Sequence, residues 1–268
     1  MIKLALLFFF ITAIGANTNG DIPVNDATPD PVLKIRCPGL SKPIDTRDLS
    51  SLYDWLIAHN LVGTLIFSNK YGEPESFIAR NWDYTNDCKS ITFELDPGAK
   101  FSDGTSITAH DVAFTFKRLI LKGARHLEAA RVLAGADQLS RMDQDIPGIQ
   151  VLGEYRIKFE FQGAVPSFMF ACSMADCGII SPKQVDANLN ITSWNITSGA
   201  YYVMPSQIPG NLSLVLNKYC RLADSCAPKI VELAIGPYST SDDAKTRERE
   251  TIEAFKIIAS KKYDLAFH

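Results

Sequence analysis

Short segments in which hydrophobic and polar residues alternate occur along most of the chain. A period of two places every second side chain on the same face of a strand, so these segments predict half-buried sheets. The alternation is strictest at 156–161, where Ile157, Phe159 and Phe161 are separated by charged residues. Strands are predicted at 32–36, 65–67, 77–82, 91–95, 149–151, 156–161, 177–180, 201–204, 212–216 and 229–235, with a further strand beginning at 264.

Helical periodicity occurs between several of these strands. The clearest helix begins at Thr108, a good N-cap residue, and Asp111 in its first turn can accept hydrogen bonds from free N–H groups. Val112, Phe116 and Leu119 then follow at the spacing of one helix face. Further helices are predicted at 50–61, 126–139, 166–174 and 241–261.

The N-terminus has the pattern of a targeting segment. Lys3 gives a positive start, residues 4–14 are apolar, and small residues follow up to Ala16. The apolar run is shorter than the ~20 residues needed to span a bilayer, although an uncleaved anchor is the alternative. No cysteine lies at the cleavage site, which disfavours a lipid anchor. We therefore expect a periplasmic or extracellular protein with a signal peptide at 1–16 and a flexible leader at 17–31.

The charge balance and the motifs exclude several classes of function. Lys and Arg number 27 against 30 Asp and Glu, a net charge of −3, so no clustered basic excess marks a nucleic-acid face. The chain has no nucleophile elbow, H-E-x-x-H, P-loop or dinucleotide-binding motif. His110 and Asp111 could form a general-base pair, but neighbouring helix residues face different ways and capping explains Asp111. We expect a protein that is not an enzyme and holds no cofactor or metal.

Six cysteines follow the targeting segment, and an even number in an exported chain suggests disulfides. Two close pairs, Cys172 with Cys177 and Cys220 with Cys226, could each close a small loop. Six cysteines allow 15 pairings, so other connectivities remain open. A zinc site built from these four cysteines, or free buried thiols, are the alternatives.

The segment 92–119 combines a strand, a Pro-Gly break, a tight Ser-Asp-Gly-Thr turn and a capped helix. This order resembles the hallmark segment of the peptide/nickel class of solute-binding proteins of ABC importers, extracellular solute-binding protein family 5. The turn at 198–201 is similar to a further turn of that family, and the resemblance covers 32–268. The residues that carry it are interpreted as structural: Phe101, Asp103, Gly104, Thr108, Asp111, Val112, Gly199 and Tyr201.

The resemblance implies an α/β, periplasmic-binding-protein-like two-lobe fold of the large peptide-binding type (class II). Family members are about twice as long, so the chain looks like the N-terminal half, truncated before the second lobe. The expected divisions are the signal peptide and leader at 1–31, the first part of lobe I at 32–50, an inserted subdomain at 51–172, and the second part of lobe I at 173–268.

The family also implies a function, in which two lobes close on a ligand. The chain is expected to be a monomer that captures oligopeptides for an ABC importer permease. Its ligand-binding segment is expected at the exit of the first strand, Cys37, Pro38, Gly39 and Leu40, where Gly39 lets a ligand approach the backbone; a plain turn is the alternative. Other functions left open are a sensor or scaffold lobe for a membrane receptor, a non-functional fragment, a nickel or other solute binder, and a secreted hydrolase.

Overall fold

The computed structural model describes residues 32–37, 44–69, 71–123, 128–205, 211–222, 227–235 and 265–266. The predicted signal peptide, the predicted helix at 241–261 and residues 38–40 lie outside these ranges. No helix in the described part of the chain is long and apolar enough to cross a membrane. In chain order the elements are β1 Val32–Cys37, α1 Leu52–Leu61, β2 Ile66–Ser68, β3 Pro74–Ser76, β4 Ala79–Tyr84, β5 Ser90–Leu95, α2 Ala109–Lys122, α3 Glu128–Arg131, β6 Ile149–Gly153, β7 Arg156–Glu160, α4 Phe168–Ala171, β8 Tyr201–Pro205, β9 Leu212–Leu216, β10 Ile230–Ile235 and β11 Leu265–Ala266.

Five strands form a mixed sheet in the order β11–β1–β10–β9–β8. Strand β1 is parallel to both β10 and β11, while β9 is antiparallel to its neighbours β10 and β8. Helix α1 packs beside this sheet and buries Ile57, Ala58 and Leu61 in a core that we call the second core. Its start is fixed by Asp54, whose carboxylate accepts the backbone N–H of the N-cap residue Ser51 at 3.0 Å.

Four strands form an antiparallel sheet in the order β4–β5–β7–β6, and β2 pairs with β3 in a separate ladder. The predicted alternation in β7 is confirmed, because Ile157 and Phe159 are fully buried. Helix α2 lies over this sheet, and the ring of Phe116 is 4.6 Å from that of Phe159. Phe168 adds a third ring at 5.1 Å from Phe159, so a cluster of aromatic rings forms part of this core, which we call the first core.

Two predictions of regular structure were wrong. The helix expected at 126–139 is replaced, in its described part, by the short α3 and a 3₁₀ turn at Ala136–Gln138. Between them Gly135 is left-handed, with φ of 75°, and the N–H of Ala134 donates to the carbonyl of Glu160 at 2.9 Å. The strand expected at 177–180 is a 3₁₀ turn followed by a single bridge between Gly63 and Ile179.

The two cores draw largely on different stretches of the chain. The buried residues of the first core all lie between Leu65 and Ile179, and the second core contains residues of the five-stranded sheet and of α1, together with Phe77 and Ala175. Helix α1 therefore packs with the second core although it falls within the range 51–172. The proposed domain boundaries stay a prediction.

Candidate functional site

The carboxyl ends of three parallel strands meet at one edge of the five-stranded sheet. Cys37, the last residue of β1, is paired with Ile235, the last residue of β10, and the adjacent Arg36 is paired with Ala266 of β11. In open α/β sheets, ligands bind in the crevice outside the carboxyl ends of the strands. We call this edge the β1 exit edge.

The predicted ligand-binding residues belong to this edge. Cys37 is 2% exposed and packs in the second core, so its side chain is a packing group. Pro38, Gly39 and Leu40 lie outside the described residues. Their role in binding a ligand therefore stays a prediction.

A buried ion pair anchors the segment that follows β1. The Nη2 of Arg118 on α2 donates to Oδ2 of Asp45 at 2.7 Å, and its Nε donates to the carbonyl of Leu189 at 2.8 Å. The Arg118 side chain is 1% exposed and that of Asp45 is 9% exposed. Arg47 donates to the same carboxylate oxygen at 3.1 Å. The sequence does not predict this pair, because its partners are 73 residues apart and no local pattern connects them.

The Ser-Asp-Gly-Thr turn is held by its own side chains. Oδ1 of Asp103 accepts hydrogen bonds from the backbone N–H of Thr105 at 3.0 Å and from its hydroxyl at 2.6 Å, and Oδ2 pairs with Lys183 at 3.0 Å. Partial burial raises the pKa of Asp103, but the bonds from Thr105 and Lys183 outweigh it and hold the pKa below its usual value. Gly104 has φ of 85°, and a Cβ there would lie 3.1 Å from the hydroxyl of Tyr219.

The next signature residues belong to the core and to a helix cap. Phe101 is 1% exposed and Val112 is fully buried in the first core. Oδ2 of Asp111 accepts the backbone N–H of Thr108 at 2.8 Å, which confirms the predicted capping role of this carboxylate.

Gly199 and Tyr201 hold the start of β8 against neighbouring elements. The N–H of Gly199 donates to the carbonyl of Leu61, the last residue of α1, at 3.1 Å. A Cβ on Gly199 would lie 2.6 Å from the carbonyl oxygen of Asn60, so the close approach requires glycine. The hydroxyl of Tyr201 donates to the carbonyl of Pro228 at 2.9 Å, and burial raises its pKa to about 12.

The predicted disulfide between Cys172 and Cys177 is wrong, because both residues are free thiols buried in the first core. Cys172 caps α4, with its N–H donating to the carbonyl of Phe168, and each sulfur is packed as an apolar group. Burial raises the pKa of Cys172 and raises that of Cys177 to about 12. Cys220 is buried in the second core. Since Cys226 lies outside the described residues, that second pairing stays a prediction.

No described group of three or more His, Cys, Asp or Glu side chains could hold a metal ion. Of the histidines, only His59 and His110 fall within the described ranges. They lie on different helices, α1 and α2.

Solved structures with the same fold define the class of this protein. The murein tripeptide binding protein MppA of Escherichia coli aligns with a TM-score of 0.64 and 19% identity, over 82% of this chain and 44% of that chain. A periplasmic oligopeptide-binding protein of Borrelia burgdorferi, OppAIV, aligns with a TM-score of 0.70 and 16% identity, over 87% of this chain and 46% of that chain. The chain therefore has the α/β fold of periplasmic binding proteins of the large peptide-binding type, which confirms the predicted fold class.

Sequence comparison gives the family. The model of the bacterial extracellular solute-binding proteins, family 5 (middle), matches residues 73–250, and the chain belongs to this family. The periplasmic oligopeptide-binding protein OppA of Salmonella typhimurium is 30% identical over 110 residues, which are 41% of this chain and 20% of OppA. The probable D,D-dipeptide-binding periplasmic protein DdpA of Escherichia coli is 27% identical over 134 residues, which are 48% of this chain and 23% of DdpA. The chain thus matches less than half the length of these relatives.

Proposed function

We propose that this protein is an extracytoplasmic solute-binding protein that captures oligopeptides for an ABC importer. The observation that carries the proposal is its membership of solute-binding family 5, together with relatives named for oligopeptide and dipeptide binding. A structure of the same fold, OppA of Haemophilus influenzae, was solved in complex with the peptide RPPGFSPFR. The chemistry is non-covalent binding, so no residue is assigned a catalytic role.

The ligand is proposed to lie along the β1 exit edge. There the backbone of residues 38–40 would pair with the peptide backbone as an added strand does, and Gly39 would leave room for close approach. Supporting this position are the three parallel strands whose carboxyl ends meet at Cys37. The buried pair of Arg118 and Asp45 would keep the exit segment in place while the ligand binds and leaves.

On this proposal, the chain supplies lobe I of a clamp, with 51–172 as its inserted subdomain. It covers under half of its relatives, so a second lobe beyond the residues of this chain would form the opposite wall of the cleft. Closure would then be a population shift toward the state that contacts the ligand on both sides. A permease of the importer would receive the closed monomer.

Native mass spectrometry combined with peptide titration tests the proposal. The full chain is purified from the periplasm without denaturation, its bound masses are recorded, and trialanine is then added up to millimolar concentration. We expect retained or added peptide on the wild type, and its loss in Gly39→Val. Gly163→Val is the matched control, since a Cβ at Gly163 meets no atom within 4 Å. A wild type that neither retains nor takes up peptide, or equal binding by all three proteins, would contradict the assignment.

A further inference from the structure

A cavity of about 380 Å³ lies beside α1, and we call it the α1 cavity. It is bounded by α1, by the segment around β2 and β3, and by α4 with the residues that follow it. Most of its wall is aromatic or aliphatic, as shown by Trp55, Leu56, Phe67, Phe77 and Phe170. Ligand sites in proteins have volumes of about 300–1,000 Å³ and walls of this kind, with a few polar groups that orient the ligand.

Helix α1 is apolar on two sides, which explains why the cavity forms. One side buries Ile57 and Leu61 in the second core. The other side carries Leu52, Trp55 and Leu56 at helical spacing, and these line the cavity. A helix that is apolar all round is normally covered all round. Here Trp55 and Leu56 are half-buried and Leu52 remains 67% exposed at the rim of the cavity, so the described residues cover this second side only in part.

The polar groups of the wall favour an uncharged ligand. Among the described residues no Asp, Glu, Lys or Arg lines the cavity, and His59 is the only titratable side chain in this part of the wall. Burial lowers the pKa of His59, so its imidazole is neutral at pH 7. The ring contacts Trp55 at a centroid distance of 5.4 Å and makes no hydrogen bond with the described residues. On the opposite wall, the hydroxyl of Ser68 donates to that of Ser173 at 3.2 Å.

One end of the cavity lies away from the β1 exit edge. Helix α1 ends at Leu61, which contacts Gly199 two residues before β8 begins. Strand β8 runs in the same direction as β10, so its start is at the edge of the sheet opposite to Cys37. Leu222 of the cavity wall follows β9, which also ends at that opposite edge. A ligand at this end of the cavity would therefore be distinct from the peptide proposed above.

We propose that the α1 cavity binds a neutral aromatic molecule of two to three rings. A cavity of roughly 150 Å³ holds one benzene molecule, and the α1 cavity has between two and three times that volume. The rings of Trp55, Phe67 and Phe170 offer edge-to-face contacts to such a ligand. The neutral imidazole of His59 can hydrogen-bond to one polar atom of the ligand.

The test uses N-phenyl-1-naphthylamine, a neutral probe whose fluorescence rises in apolar surroundings. We expect saturable binding with one probe per full-length chain, and binding about tenfold weaker in Phe170→Ala. Phe170 is 65% exposed, so its loss should leave the fold intact. Tyr71→Ala is the matched control, because Tyr71 is an exposed aromatic residue (74%) that does not line the cavity.

Further measurements distinguish binding in the α1 cavity from binding elsewhere on the protein. Ser68→Trp places a large side chain in the wall, and we expect it to abolish probe binding while the circular dichroism spectrum stays that of the wild type. Excess trialanine should not displace the probe, whatever the outcome of the peptide experiment. The inference is overturned if the wild type gives no saturable signal, if Phe170→Ala and Tyr71→Ala bind equally well, or if trialanine competes.

Discussion

Replacing Arg118 with methionine would remove the cation of a buried pair and leave its carboxylate partner behind. In the wild type the guanidinium donates to Asp45 at 2.7 Å and to the carbonyl of Leu189 at 2.8 Å. Leu189 has φ of 62°, a left-handed conformation that is unfavourable for a leucine, so its loop depends on such external bonds. Methionine has a similar length and fills much of the same space, so the variant tests the charge and its hydrogen bonds.

The magnitude follows from the burial of both partners. Side-chain exposures of 1% and 9% leave little water to solvate the carboxylate of Asp45, which would keep only the partly exposed Arg47 as a cationic partner. Removing one partner of a buried pair costs about 3–5 kcal/mol, and the remaining bond from Arg47 places the expected loss for Arg118→Met at the lower end of that range. At a urea dependence of about 3 kcal/mol per molar, the midpoint of unfolding should fall by about 1 M. The exposed pair Arg141–Asp143, with side chains 75% and 76% exposed, is the matched control. Arg141→Met should change the stability by less than about 1 kcal/mol.

Urea unfolding followed by circular dichroism at pH 7 measures both variants. A double variant, Arg118→Met with Asp45→Asn, also removes the buried carboxylate charge while keeping an N-cap side chain at residue 45. We expect it to unfold at higher urea than Arg118→Met alone. If Arg118→Met lay within 1 kcal/mol of the wild type, or if the double variant showed the sum of the two single effects, the pair would not act as a buried ion pair.

Three further outcomes are expected. Gly199→Val should lower the unfolding free energy by at least about 2 kcal/mol, since its Cβ would clash with α1 backbone, whereas Gly163→Val should not; urea unfolding compares the two. Because burial lowers the pKa of His59, the unfolded chain takes up this proton at a higher pH than the folded chain does. The stability that the neutral imidazole contributes is therefore present above pH ~6.5 and should be lost as the pH falls below it. His59→Gln should flatten that decline between pH 7.5 and 5.5, and an unchanged slope would refute the burial of a neutral imidazole. Cys172 and Cys177 should resist iodoacetamide in the native protein and both react in urea without reductant, as read by mass spectrometry; a disulfide would leave them unmodified in urea.

Local sequence patterns predicted those parts of the fold that depend on interactions between residues close in the chain. Ile157 and Phe159 face the core because every second residue of a strand shares a face, and Asp111 caps its helix because the free N–H groups are one turn away. The same reasoning failed at Gly135. There the helical spacing of neighbouring residues was overridden by a bond from Ala134 to strand β7, which lies far along the chain.

The candidate site was harder to predict because its parts come from distant segments. Strand β1 gains its position from β10 and β11, and no pattern near Cys37 identifies those partners. Sequence periodicity does not predict the pair of Arg118 with Asp45 either, because the two residues lie far apart in the chain. The spacing of Cys172 and Cys177 did not predict their state, because cysteines close in sequence form a disulfide only when the backbone directs their side chains toward each other.

The signature residues connect elements of the protein, and this limits what they say about the ligand. Gly104 lies under the ring of Tyr219, and Gly199 lies against the end of α1, so each glycine permits a close contact between segments that are distant in sequence. Substitutions at these positions should therefore lower stability and leave the affinity of the folded fraction unchanged. It follows that similarity across this block establishes the fold and does not by itself identify the ligand.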